Sequence, residues 1–110
     1  MSLTAKQCTP CRGGVRPLSR PEAERLLRET PGWTLEAGAT RIERTFKTED
    51  FASAFALVEK IAQVAEAEGH HPDIGFGWGY CRVVFYTHKI KGLHENDFIM
   101  AAKVNALAGT

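Results

Sequence analysis

The sequence predicts an α+β two-layer sandwich, a four-stranded antiparallel sheet with helices on one face, in the order α-β-β-α-β-β-α. The first observation is a helical recurrence of apolar residues from Phe51 to Ala65, with Gly69 as its stop. The second is a pair of short strand-like stretches on either side of that helix, each pair joined by a link too short for a crossover and therefore antiparallel. The third is a capped helix before the first pair and another after the second. Helices and a sheet that are each apolar on one side bury those sides against each other.

Residues 1–17 form an irregular arm with turn chemistry (Arg12-Gly13-Gly14) and no period, and residues 18–110 form the single domain. Ser19-Arg20-Pro21-Glu22 is a capping-box pattern with proline in the first turn, where its missing N–H costs nothing. Ala23, Leu26 and Leu27 give that helix its apolar side, and Thr30-Pro31-Gly32 ends it. Trp33 to Leu35 reads as a short strand and Glu36 to Ala39 as a turn. Thr40 to Lys47 alternates, with Ile42, Arg44 and Phe46 on one face. Thr48 is the expected N-cap of the long helix, whose inner stripe is Phe51, Ala54, Phe55, Val58, Ile61, Ala62 and Ala65. From Asp73 to Tyr80 glycine alternates with large apolar groups, so one face of that strand is nearly bare backbone. Cys81 to His88 is a β-branched and aromatic strand, Lys89 to Gly92 a loop, and Leu93 to Asp97 the start of a last helix with Phe98, Ala101, Ala102 and Leu107 inward. Such a sheet has open edges that invite a second copy, so a homodimer or homotetramer is expected.

Composition narrows the function. A net charge of +1 with no five-residue run of like charge excludes an electrostatic nucleic-acid or membrane-surface role. No apolar stretch approaches the roughly twenty residues of a membrane helix, and the first residues carry no secretory apolar core, so a cytoplasmic location is expected. The three cysteines are an odd count that suits a reducing compartment. Cys8 and Cys11 form a C-x-x-C pair that reads either as incidental thiols or as half of a zinc or redox motif, although neither a second pair nor a βαβ context accompanies it.

The chemistry-bearing residues lie at the end of the long helix and beyond. His70 and His71 stand where that helix hands over to the third strand, and the turn near Gly79 brings the fourth strand, and His88, back to the same end. Asp97 follows after a short loop, and Glu66 lies one helical turn before His70, so that it can orient the ring. Imidazoles exchange protons near neutral pH, so this group can move protons to and from a bound molecule. His94 reads as a helix-start residue. Three histidines are also a zinc set, but adjacent residues point different ways, and no metal is assigned.

Glu66-x-x-x-His70-His71-Pro72, with Trp78, His88 and Asp97 at their spacings, resembles the signature of the pterin-4a-carbinolamine dehydratases. The resemblance extends through Gly32-Trp33, Phe51-x-x-Ala54-Phe55, Thr87-His88 and Gly92-Leu93-x-x-x-Asp97, covering the chain beyond the cysteine-bearing arm. It implies a hydro-lyase that dehydrates 4a-hydroxytetrahydropterin to quinonoid dihydropterin in tetrahydropterin recycling, without metal or cofactor. It further implies that His70 and His88 act as acids at the departing hydroxyl, that His71 binds and orients the pterin, and that Glu66 and Asp97 hold the imidazoles. Trp33 and Trp78 are either pocket walls or core aromatics. The glycine-rich third strand, Lys89 after His88, and the cysteine arm depart from the commoner pattern. Related alternatives are a role in molybdenum-cofactor metabolism, also pterin-based, and a non-catalytic dimerisation module.

Overall fold

The computed structural model describes residues 2–9 and 15–109, so Cys11 lies outside the described residues. The elements are α1 (Arg20–Leu27), β1 (Thr34–Leu35), β2 (Ile42–Lys47), α2 (Phe51–Glu68), β3 (Asp73–Gly77), β4 (Tyr80–Phe85) and α3 (Glu95–Ala108), with single 3₁₀ turns at Leu3–Ala5 and His88–Ile90. The four strands form one antiparallel sheet in the order β1-β2-β4-β3, so the architecture and element order are those expected. β2 and β4 are the centre, in a register that sets Ile42 opposite Phe85 and Phe46 opposite Cys81. These four, with Val83, are buried on the helix side, while Arg82 and Glu43 meet at 2.9 Å on the other face.

The capping box of α1 forms as read: Ser19 Oγ accepts from Glu22 N–H and Glu22 Oε1 accepts from Ser19 N–H. Gly32 follows at φ 90°, and a side chain there would meet the Arg44 guanidinium carbon at 2.6 Å, so only glycine fits this turn. Arg44 is held by Pro31 O at 3.1 Å and Asn105 Oδ1 at 2.8 Å.

The N-cap of α2 is Asp50 rather than Thr48: Asp50 Oδ1 accepts from Ser53 N–H at 2.8 Å. Thr48 is occupied in closing the end of β2, its N–H bonded to Gly79 O at 2.9 Å. The stripe of α2 is also wider than the sheet beneath it. Ala54, Ile61 and Ala65 are buried, but Ala62 is exposed, and Phe51 and Phe55 remain about half exposed beside Phe76.

α3 differs in the opposite sense, for Asn96 to Ala102, Val104 and Asn105 are all buried, so it has no polar outer side over most of its length. The arm supplies the missing cover: Leu3 is 3% exposed, Lys103 Nζ donates to Thr4 O at 3.0 Å, and Lys6 pairs with Glu95 at 2.7 Å. No helix among the described residues is long and apolar enough to cross a membrane.

Candidate active site

α2 ends at Gly69, whose φ of 68° is left-handed and free of strain only for glycine or nearly so. This turn takes the next residue off the helical face. His70 therefore does not share a side with Glu66, as helical spacing suggests, but turns inward, its backbone N–H bonded to Ala65 O at 3.2 Å. Its Nε2–H donates to Asp97 Oδ1 at 2.6 Å, and its ring stacks on Phe85 with a centroid distance of 6.2 Å and an angle of 12°. The imidazole is 11% exposed and the Asp97 carboxyl wholly buried. Glu66 bonds His71 Nε2 instead, and both of these side chains are largely exposed.

Asp97 is the hub. Besides His70, its Oδ2 accepts from the Thr87 hydroxyl at 2.8 Å and from His94 N–H at 3.0 Å. The last of these is half of a capping box that starts α3, with His94 Nδ1 accepting from Asn96 N–H at 3.0 Å, so His94 is the helix-start residue expected. A buried carboxylate surrounded by three donors is compensated for the cost of leaving water. It also fixes the neighbouring imidazole with its proton on Nε2, leaving Nδ1 to exchange protons.

The regular ladder of β4 stops at Phe85, earlier than the alternation suggests. Thr87 then bridges to Gly92, its N–H to Gly92 O at 2.8 Å, and the chain between them makes the 3₁₀ turn that begins with His88. His88 rests on Tyr86 at 4.2 Å between ring centroids, and the Arg41 guanidinium lies over the same tyrosine at 5.1 Å.

His70, His71 and His88 line one cavity of about 530 Å³, together with Gly69, Tyr86, Thr87, Lys89, Asn96 and Thr9. That volume lies within the roughly 300–1,000 Å³ of small-molecule sites. Three of the expected residues thus converge on one space, and Asp97 and Glu66 stand behind two of them. The tryptophans do not line it. Trp33 is a core residue, 5% exposed, its Nε1–H donating to Asn105 Oδ1 at 2.8 Å and its ring 5.7 Å from Phe85. Trp78 is 74% exposed at the β3–β4 turn. Tyr86, Asn96 and Thr9 escape a sequence reading, and Thr87 enters it only as the neighbour of His88 in the resembling motif, not as a residue of the site.

Among the described residues no group of three or more His, Cys, Asp or Glu side chains is placed to hold a metal ion. Burial and the neighbouring Glu68 carboxylate push the Cys8 thiol up to about 12, which keeps it a protonated packing group rather than a thiolate.

Fold and site together set a buried carboxylate against one of three imidazoles that line a common cavity, a set of groups able to exchange protons with a bound molecule. Residues 16–107 match the family profile described as pterin 4 alpha carbinolamine dehydratase. The chain is 64% identical over 107 residues (97% of this chain, 94% of the relative) to a protein of Methylococcus capsulatus named for pterin-4-alpha-carbinolamine dehydratase activity. A namesake from Cupriavidus pinatubonensis is 57% identical over 96% of this chain and 91% of its own. Among solved structures, a transcriptional coactivator/pterin dehydratase from Brucella melitensis superposes with a TM-score of 0.80 at 36% identity, covering 86% of this chain and all of that one. A pterin dehydratase-like RuBisCO assembly factor of the alpha-carboxysome gives 0.62 at 26% identity, over 72% and 92%. The chain belongs to the pterin 4 alpha carbinolamine dehydratase family, which is a family of hydro-lyases.

Proposed function

We propose that the chain dehydrates a 4a-hydroxytetrahydropterin to the quinonoid dihydropterin, with His70 and His88 as the acids and bases and His71 orienting the ring. The observation that carries this reading is the convergence of the three imidazoles on one cavity, with His70 held by the buried Asp97. Hydroxide is a poor leaving group, so the C4a–O bond breaks readily only if the departing oxygen receives a proton. The lone pair on N5 of the pterin fills the bond that opens, and the N5 proton is then lost to a base. One imidazolium supplies the first proton and one neutral imidazole takes the second, which returns the pair to its starting protonation once they exchange. Each such transfer contributes typically about 10²–10⁴ in rate. His70 is suited to this because Asp97 fixes its tautomer; His88 is suited because the 3₁₀ turn that it begins sets it in the lining of the same cavity. No step calls for a metal or cofactor.

The test is stopped-flow dehydration of an enzymatically generated 4a-hydroxypterin. His70→Ala and His88→Ala should each lose about two orders of magnitude or more in turnover while keeping the fold. A supply of tetrahydropterin recycling in the cytoplasm is the corresponding physiological role.

A homo-oligomer accompanies this reading. β3 is an edge strand, and Phe51, Phe55 and Phe76 form an aromatic group of which Phe51 and Phe55 are about half exposed, a surface that a second copy would cover. The same surface supports the second reading, an interaction module, in line with the coactivator named in the Brucella melitensis structure. Light scattering separates them: a stable dimer or tetramer occupies the surface with copies of this chain, whereas a monomer leaves it for a different partner.

A further inference from the structure

The arm does more than cover α3. We propose that residues 2–9 form a strap closing one side of the pterin site, with Thr9 as the wall that the bound ring meets and Asn96 as the positioning residue that holds it there. The proposal rests on the pterin reading of the cavity and adds to it a part of the chain that neither the signature nor the family profile, which starts at residue 16, includes.

Thr9 lines the cavity beside the histidines, far in sequence from all of them. Two bonds hold it there: Thr9 N–H donates to Asn96 Oδ1 at 3.0 Å, and Asn96 Nδ2 donates to Thr9 O at 2.6 Å. Asn96 is 2% exposed. With the strap gone, a buried amide at the cavity edge would lose both partners, an arrangement that costs far more than an exposed one. One residue earlier, Cys8 N–H donates to Glu68 Oε1 at 2.7 Å, which ties the strap to the end of α2 just before Gly69 and the histidines. Covering the core does not require any of this. Leu3 and the half-buried Cys8 side chain supply the apolar cover, whereas Gln7 and Thr9 are exposed and bury little. The bonds at Cys8 and Thr9 serve position: they bring backbone to the one cavity lined by three imidazoles. A ligand that touches Thr9 must then favour the docked strap, and by reciprocity the docked strap must favour the ligand.

Cys8 reports the state of the strap. Docked, its thiol sits near 12; released, it returns toward the ordinary value of about 8.5 and reacts far faster with a disulfide reagent. The experiment uses the full chain carrying Cys11→Ser, in which Cys81 is fully buried and slow. Modification by 5,5′-dithiobis(2-nitrobenzoate) is followed at mildly alkaline pH with and without 6,7-dimethyl-7,8-dihydropterin, alongside kcat and KM for dehydration. Asn96→Ala removes the clamp from the body, and Thr9→Pro removes the N–H donor from the strap without altering α3, which covers the case in which the first variant does not fold. The pterin should slow Cys8 modification, and both variants should speed it at least about tenfold. They should raise KM by about tenfold with kcat within about twofold, the mark of lost binding rather than lost chemistry. Fast Cys8 modification with unchanged KM would overturn the strap as a wall of the site. Failure of the pterin to bind or turn over even with the strap docked would overturn the pterin reading, and the strap's role in it, by a different pattern.

Discussion

Replacing Asp97 by asparagine keeps the shape of the buried carboxyl and removes its charge and one of its acceptors. The surroundings decide which end becomes the amide. Oδ2 faces two donors, the Thr87 hydroxyl at 2.8 Å and the fixed backbone N–H of His94 at 3.0 Å, and the backbone donor cannot turn away. The asparagine oxygen must therefore take the Oδ2 place, and its NH₂ the Oδ1 place opposite His70 Nε2. Two donors cannot share one bond, so His70 must move its proton to Nδ1 and accept at Nε2. The atom left to meet the substrate is then of the wrong kind in the neutral ring. A charge-assisted bond in a buried site is worth about 1.5–3 kcal/mol, so stability should fall by about 2 kcal/mol. Turnover should fall by about 10²–10⁴, the contribution of one positioned acid or base. Urea unfolding followed by circular dichroism gives the first quantity, stopped-flow dehydration the second, and ¹⁵N chemical shifts of the imidazoles the tautomer. Asp97→Asn protein that turns over within threefold of wild type, with His70 still protonated on Nε2, would refute the argument that Asp97 steers this ring.

Other expectations follow from the same geometry. Glu66→Gln should lower turnover by less than about tenfold, because the Glu66–His71 pair is largely exposed and such pairs are worth roughly 1 kcal/mol or less; a loss as large as that of Asp97→Asn would reverse the ranking of the two acids. Gly32→Ala should destabilise by at least about 1–2 kcal/mol, since it forces a left-handed backbone onto an alanine and drives a methyl into the Arg44 guanidinium; a melting temperature within a degree of wild type would count against it. The Asp50 carboxyl is held below its ordinary range by the Ser53 N–H that it caps. Its contribution is present above the ordinary carboxylate value of about 4 and is lost as pH falls through the lowered one. Asp50→Asn, which caps without titrating, should therefore flatten that part of the acid-unfolding curve, and an unchanged curve would remove Asp50 as a source of the acid sensitivity.

Most of the fold was legible because its signals are local. The Ser19 capping box, the apolar period of α2 and the alternation of β2 act over a few residues each, and tertiary packing did not oppose them. The convergence of His70, His71 and His88 was legible too, through the short hairpin that returns β4 to the end of α2. What escaped depends on geometry that spacing does not carry. The left-handed turn at Gly69 sends His70 inward and hands Glu66 to His71, reversing the partners that a helical count assigns. Thr48 looks as good a cap as Asp50 until the Thr48–Gly79 bond closes the strand. The burial of α3 on all sides follows from an arm with no period of its own, so no pattern in α3 reveals it. For the same reason the two tryptophans, alike in sequence, separate into a core residue and an exposed turn residue only in three dimensions.

The central claim is that the imidazoles at positions 70 and 88 carry the protons of the dehydration. A single-turnover stopped-flow comparison of wild type with the His70→Ala, His88→Ala double variant, its fold verified by circular dichroism, tests it most directly. The account predicts a rate within a few-fold of the uncatalysed dehydration and undiminished pterin binding through His71 and the remaining walls. A folded double variant that dehydrates within threefold of wild type would contradict it.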